Sequence, residues 1–186
     1  MEIKPVTADR WDDLVDLFTG RGPRGGTPAT AWCWCMWWRD RTQDGTVNRA
    51  AMEEIVAAGR QPGLLAYVEG EPVGWIAVAP RDEHDQLLRS PTLRPDEPGE
   101  EGVFSITCFY VHPSARRQGI PGELVRAAVS DARARGARAV EAYAADRLGG
   151  TSSQDFMGVT GWFLAEGFQP VRRARSKTVL RLDLTA

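Results

Sequence analysis

Residues Val103 to Leu124 set out, in order, a β-branched and aromatic run, a proline, a basic glycine-bearing turn and the start of an amphipathic helix. The turn reads His112-Pro113-Ser114-Ala115-Arg116-Arg117-Gln118-Gly119-Ile120-Pro121-Gly122. A strand that feeds a helix through such a turn makes an anion site from its own backbone. The first helical turn carries unpaired N–H groups and the positive end of the dipole, and both favour phosphate oxygens. Arg116 and Arg117 would add charge-assisted hydrogen bonds; solvated turn arginines are the plainer alternative. The pattern predicts a phosphate-bearing ligand at this turn.

Two phosphate-binding patterns are excluded by what is missing. A P-loop needs Gly-Lys-Ser/Thr at the helix start, and neither lysine nor hydroxyl is present. A dinucleotide fingerprint needs Gly-x-Gly-x-x-Gly opening an early βαβ unit, whereas Gly119 and Gly122 come late, after strands that read as antiparallel. With 186 residues and 42% hydrophobic content, the chain can bury the core of one domain, residues 1–186. A net charge of −2 gives no polyelectrolyte case for nucleic acid. No apolar run nears the ~20 residues that span a bilayer, so no membrane partner is expected. Met1 to Val6 lacks the charged lead and apolar core of a signal peptide, and three cysteines cannot all pair within a chain. A reducing, cytoplasmic setting is the expectation. Cys33-x-Cys35 has no second Cys or His pair at ligand spacing, and His84 and His112 are the only histidines, so no metal is expected.

Periodicity and breakers give the elements. Glu2 to Val6 reads as a strand. Thr7 is placed to cap a helix from Ala8 to Thr19, with Trp11, Leu14, Val15 and Phe18 on one face. Gly20 to Gly26 is loop by composition. Arg49 to Gly59 reads as a second helix, and Leu64–Val68 and Val73–Val78 as strands joined by a hairpin turn over Glu69 to Pro72. Arg81 to Gly102 is a long polar segment in which Leu87-Leu88 can anchor a helical turn. Then come a strand over Val103–Val111, a helix over Gly122–Arg135 stopped by Gly136, and a strand over Ala139–Tyr143. A last helix over Phe156–Glu166 is stopped by Gly167, and a strand over Val179–Leu184 closes the chain.

Arg116-Arg117-Gln118-Gly119-Ile120, after a strand ending Val111-His112-Pro113, resembles the acyl-CoA motif of the GNAT (GCN5-related) N-acetyltransferases. That motif is written Arg/Gln-x-x-Gly-x-Gly/Ala; Pro121 stands where the family prefers glycine or alanine. The proline removes one N–H, but its φ already suits a first helical turn. Trp162-Phe163-Leu164-Ala165-Glu166-Gly167-Phe168 is similar to the family's late helix ending in Gly-Phe. The block Trp32-Cys33-Trp34-Cys35-Met36-Trp37-Trp38-Arg39 looks like the signature of one branch, as do Thr107 to Val111 and Val140 to Tyr143. The resemblance covers nearly the whole chain. It implies an α/β (α+β) fold with a central mixed, mostly antiparallel sheet flanked by helices.

The resemblance also implies a chemistry. Acetyl-CoA would serve as acyl donor, its pantetheine arm pairing with the main chain of Phe109, Tyr110 and Val111 where a strand splays from its neighbour. Arg116, Arg117, Gln118, Gly119, Ile120, Pro121 and Gly122 would hold the pyrophosphate, with N–H groups from Gln118, Gly119 and Gly122. Many family members place a tyrosine acid four residues before the Gly-Phe; here that position is Phe163. Glu141 and Tyr143 share a strand face by period-2 alternation, so Glu141 is a candidate base, directly or through water. Tyr143 or Tyr110 is a candidate acid; a surface glutamate and half-buried tyrosines are the alternative. Ser152, Ser153 and Asp155 lie near in sequence, and His112 borders the turn as either a titrating group or an exposed loop residue. Trp32, Trp34, Trp37 and Trp38 are either core packing or an aromatic wall of the acceptor pocket. The leading expectation is an N-acetyltransferase acting by direct attack of a small-molecule primary amine on the thioester. A protein N-terminus or lysine as acceptor, a non-catalytic acyl-CoA sensor, and assembly as a homodimer remain open.

Overall fold

The computed structural model of the chain describes residues 1–20, 30–40, 44–146 and 156–184. Its frame is a seven-stranded sheet in the order β1-β2-β3-β4-β5-β7-β6. The strands are β1 (Glu2–Pro5), β2 (Gly63–Val68), β3 (Glu71–Pro80), β4 (Val103–Val111), β5 (Ala139–Ala145), β6 (Gln169–Ala174) and β7 (Lys177–Asp183). Every neighbouring pair is antiparallel except β4 and β5, which run parallel. The helices are α1 (Trp11–Thr19), α2 (Thr30–Cys33), α3 (Gly45–Ala57), α4 (Asp85–Leu88), α5 (Ile120–Ala134) and α6 (Thr160–Ala165). The expected mixed, mostly antiparallel architecture is the one found.

Two faces of the sheet carry separate cores, because strand side chains alternate sides. On one face α5 lays Leu124, Val125, Ala128, Val129 and Ala132 against Ile76, Val78, Ile106, Val140 and Ala142. On the other, Leu14, Leu17 and Phe18 of α1 meet Trp34, Met52, Leu65 and Trp75. A third cluster joins Trp38, Leu87, Leu93, Tyr143, Met157 and Val179 on the β5–β7 side. Among the described residues, no helix is long and apolar enough to cross a membrane.

Local chemistry moves several boundaries. The Thr7 hydroxyl donates to Asp9 at 2.5 Å rather than capping backbone, and a 3-10 turn over Ala8–Arg10 precedes α1. Helix α3 begins at Gly45, not Arg49, because the Asp44 carboxylate accepts from the N–H groups of Thr46 and Val47. The β2–β3 connection is the two-residue turn Glu69-Gly70, both left-handed, as a tight hairpin requires. The last helix starts at Thr160 instead of Phe156, since Gly158 is left-handed (φ 79) and residues 156–159 run between strands. Strand β6 has no counterpart in the sequence reading. It is an edge strand, mostly exposed and bearing Arg172 and Arg173, so it lacks apolar alternation.

Candidate functional site

Strands β4 and β5 pair only from Val103↔Ala139 to Ile106↔Ala142, and then part. At that point β4 carries a bulge: Ala77 faces Cys108 and Val78 faces Ile106, leaving Thr107 as the extra residue. The bulge explains why Ile106 and Phe109 both join the core under α5, with Thr107 and Cys108 between them. Beyond it, the Phe109 N–H points into the gap. The Phe156 carbonyl accepts that N–H at 2.5 Å, and the Gly158 carbonyl accepts the Ala145 N–H at 3.0 Å from the other strand. The segment Phe156–Val159 therefore stands across the splay.

The basic turn opens beside the same gap, at the start of α5. Arg117 (φ 65) and Gly119 (φ 75) are both left-handed, a conformation that disfavours a side chain at Arg117 by about 1–2 kcal/mol. Gly119 is the N-cap and Pro121 lies in the first turn, where its missing N–H breaks no ladder. A Cβ added at Gly119 or Gly122 would meet nothing within 4 Å. Arg116, Arg117, Gln118 and Gly119 are exposed, whereas Ile120 is buried and anchors the turn. The expected donor set needs one correction: the Gly122 N–H already bonds the Gly119 carbonyl at 3.1 Å.

Glu141 and Tyr143 do share one face of β5, and both are buried. One oxygen of Glu141 accepts from Arg81 at 3.0 Å and from Arg181 at 3.2 Å; the other accepts from the Tyr143 hydroxyl at 3.0 Å. With its only proton given to Glu141, the Tyr143 oxygen accepts from Ser105 at 3.1 Å. Burial, and then the Glu141 charge, push the Tyr143 phenol well above its ordinary range, so it stays protonated near neutrality. Arg181 is tied in turn to Glu100 at 2.7 and 2.9 Å. Glu141 is thus neither a surface group nor a free carboxylate.

The four tryptophans of the block part company. Trp34 belongs to the core: it stacks on Trp11 (ring centres 5.7 Å apart) and meets Phe18, which corrects its assignment to a pocket wall. Trp32 is 44% exposed on α2. Trp38 is buried in the third cluster with Tyr143, and Trp37 packs against that cluster. Tyr110 is half-buried beside Phe18. His112 holds the Ser114 hydroxyl at 2.7 Å on the exposed turn. Ser152, Ser153 and Asp155 lie outside the described residues. Among the described residues no group of three or more His, Cys, Asp or Glu side chains is placed to hold a metal ion.

Phe163, at the position of the family's tyrosine, is fully buried. Its ring makes edge contacts with Phe109 and Phe168, at 5.8 and 5.3 Å between centres. Gly158 leaves it little space, since a Cβ there would lie 3.2 Å from the Phe163 ring. Phe163→Tyr is expected to cost about 1–3 kcal/mol, because the new hydroxyl enters an apolar site. Urea unfolding of the variant measures this, and an unchanged midpoint would show that the hydroxyl finds a partner.

The sequence model of the acetyltransferase (GNAT) family matches residues 11–157, and the chain belongs to that family. No curated protein sequence matches the chain. Among solved structures, the fold is similar to a ribosomal-protein-alanine N-acetyltransferase from Brucella melitensis. The identity is 18% and the TM-score 0.57, over 99% of this chain and all of that one. It is similar also to an N-acetyltransferase from Staphylococcus aureus Mu50 (14%, 0.57, 99% and 98% covered). A GNAT acetyltransferase from Brucella melitensis, solved with acetyl-CoA, matches at 16% identity and a TM-score of 0.55, with 100% and 88% covered.

Proposed function

We propose that the protein transfers an acetyl group from acetyl-CoA to the primary amine of a small molecule. The observation that carries this reading is the coincidence of three features. The β4–β5 splay, the β4 bulge that turns the Phe109 N–H into it, and the open glycine turn at the start of α5 adjoin one another. The turn suits a pyrophosphate: Arg116 and Arg117 are exposed, and nothing crowds Gly119 or Gly122. Bound there, acetyl-CoA supplies a thioester carbon open to attack by an amine.

The chain's own contribution is placement. The Phe109 N–H is a preorganised donor for a carbonyl oxygen, the kind of group whose stabilisation grows as negative charge develops. It reaches that role when the Phe156 carbonyl, its partner in this structure, gives way. Glu141 is held by two arginines and fixes the buried Tyr143 hydroxyl beside Ser105, just below the splay; in this reading it is a positioning residue rather than the base. With Phe163 in place of a tyrosine, proton donation to the departing thiolate is not required of α6. A thiol with a pKa near 8.5 leaves far more readily than an amine, and orientation alone can contribute more than positioned acids and bases. Trp37 and Trp38, on the third cluster beside Tyr143, are the aromatic candidates to border the acceptor.

A screen of amines with acetyl-CoA, read by release of free thiol, tests the reading. Turnover of a small amine supports it; turnover of peptides alone redirects it to a protein acceptor. Acetyl-CoA binding without turnover on any amine would make the chain a sensor. At ~100-fold excess over its dissociation constant, acetyl-CoA should add roughly 2.7 kcal/mol of stability. Gly119→Glu is expected to weaken that binding at least about tenfold, or 1.4 kcal/mol, by setting a carboxylate in the open space of the turn. Calorimetry measures it, and equal affinity of the variant would remove the turn from the site.

A further inference from the structure

Cys35 and Cys108 stand 73 residues apart in the chain, yet their sulfurs touch at 2.7 Å inside the core. Both are buried, and neither takes part in the placement of groups at the splay. The turn that delivers Cys35 is costly. Trp34 (φ 47) and Cys35 (φ 54) are consecutive left-handed residues with side chains, a conformation that persists only where surrounding structure enforces it. There the Trp75 indole N–H donates to the Cys35 sulfur at 3.0 Å. Cys108 sits in the β4 bulge, directly before Phe109. Cys33, two residues before Cys35, is only half-buried.

We propose that Cys35 and Cys108 are a thiol-oxidation site, joined as a disulfide by a peroxide. The inference does not rest on the acetyl-transfer reading. In the first step the Cys35 sulfur attacks one oxygen of hydrogen peroxide; burial pushes this thiol up and keeps it protonated, so the step is slow and takes peroxide in excess. The O–O bond breaks, the sulfur becomes a sulfenic acid, and the other oxygen leaves as water with the thiol proton. In the second, the Cys108 sulfur attacks the sulfenic sulfur. The S–S bond forms, the S–O bond breaks, and hydroxide takes the Cys108 proton to leave as a second water. Two thiols are oxidised and one peroxide is reduced, with no other reactant.

The contact between the thiols is what makes the pair specific. The second attack finds its nucleophile already in place, whereas an isolated sulfenic acid goes on to adducts and higher oxides. The bond would tie the tryptophan turn to the bulge beside Phe109. It would thereby restrain both the wall carrying Trp37 and Trp38 and the strand that presents the N–H to the gap. Closing a loop of this length also restricts the unfolded chain, so the oxidised form should melt higher than the reduced one.

The test uses the purified full chain, reduced, freed of reductant and exposed to hydrogen peroxide. It is then denatured, alkylated and mapped without reduction. The expected result is a mass lower by two hydrogens, one alkylated thiol at Cys33, and a peptide pair linked through Cys35 and Cys108. Dithiothreitol should reverse the link and the rise in melting temperature together. Cys33→Ser should leave the link in place and Cys108→Ser should abolish it. Because the mapping is done on the natural chain, a variant that fails to fold does not blunt it. Three alkylated thiols after peroxide, a Cys33–Cys35 link, or oxygen adducts on Cys35 or Cys108 in place of the link would each overturn the proposal.

Discussion

Glu141→Gln is expected to lower the stability of the protein by about 3–5 kcal/mol, the usual cost of removing one partner from a buried ion pair. Glutamine keeps the shape, so the loss is the charge. Arg81, whose side chain is 3% exposed, has the Glu141 carboxylate at 3.0 Å; it otherwise leans on the backbone carbonyls of Glu97 and Glu100, with the Glu100 carboxylate farther off at 3.8 Å. Arg181, at 21%, keeps Glu100, Asp183 at 2.8 Å and some access to water, so it loses less. Arg81, Arg181, Glu100, Glu141 and the largely exposed Asp183 form one network of two cations and three anions; the substitution leaves Arg81, the buried cation, with no carboxylate nearer than Glu100 at 3.8 Å. Urea denaturation at neutral pH measures the change, and a loss under about 1 kcal/mol would place Glu141 among ordinary surface pairs. The same variant separates positioning from base catalysis. If Glu141 only orients Tyr143, kcat/KM falls but the acidic limb of its pH profile stays where it was; a base would take that limb with it.

The parts legible in the sequence were those written in short-range chemistry. The bounds of the strand Val103–Val111 are legible to the residue, because its β-branched and aromatic run ends just before His112-Pro113. The glycine turn and α5 followed from the same segment, and Glu141 and Tyr143 from simple alternation. The missing parts depend on partners distant in the chain. Nothing near Glu141 announces that Arg81 and Arg181 close on it, from β3's end and from β7. Trp34 and Trp38 look alike in the sequence, yet the left-handed turn between them sends one under α1 and the other towards Tyr143. The Phe156–Phe109 bond is likewise a tertiary event; an apolar stretch ending in Gly-Phe reads as one helix until Gly158 interrupts it. Asp44, by contrast, is a signal that the sequence does hold, as a helix cap just before Gly45.

Acid should destabilise the protein well before its carboxylates titrate, and His84 is the reason. The imidazole is 1% exposed, with Nδ1 at 3.2 Å from the Pro80 carbonyl and Nε2 at 3.4 Å from the Thr107 hydroxyl. A carbonyl can only accept, so Nδ1 carries the proton and Nε2 is left to accept from Thr107. A second proton, on Nε2, would remove that acceptor and place a charge in the core beside Arg39. Burial first, and then the Arg39 charge, hold His84 well below its ordinary value of 6.5 in the folded state. A depressed folded pKa means that the unfolded chain binds the proton first. The stabilisation is therefore whole above about pH 6.5 and is lost as the pH falls from there towards the folded value, by about 1.4 kcal/mol per pH unit. Carboxylates such as Glu100, which Arg181 holds below its ordinary 4.5, add their own losses only at lower pH. From about pH 6.5 down towards 5 the slope of unfolding free energy against pH should thus rise from about half a proton towards one, for as long as the folded imidazole stays neutral. Urea midpoints across that interval measure it for the natural chain and for His84→Gln, whose amide can serve both Pro80 and Thr107 without titrating. A flat profile in the natural chain, or a slope that survives in His84→Gln, would show that the buried histidine is not what acid attacks. Because Thr107 is the extra residue of the β4 bulge, the same protonation would loosen the strand just before Phe109.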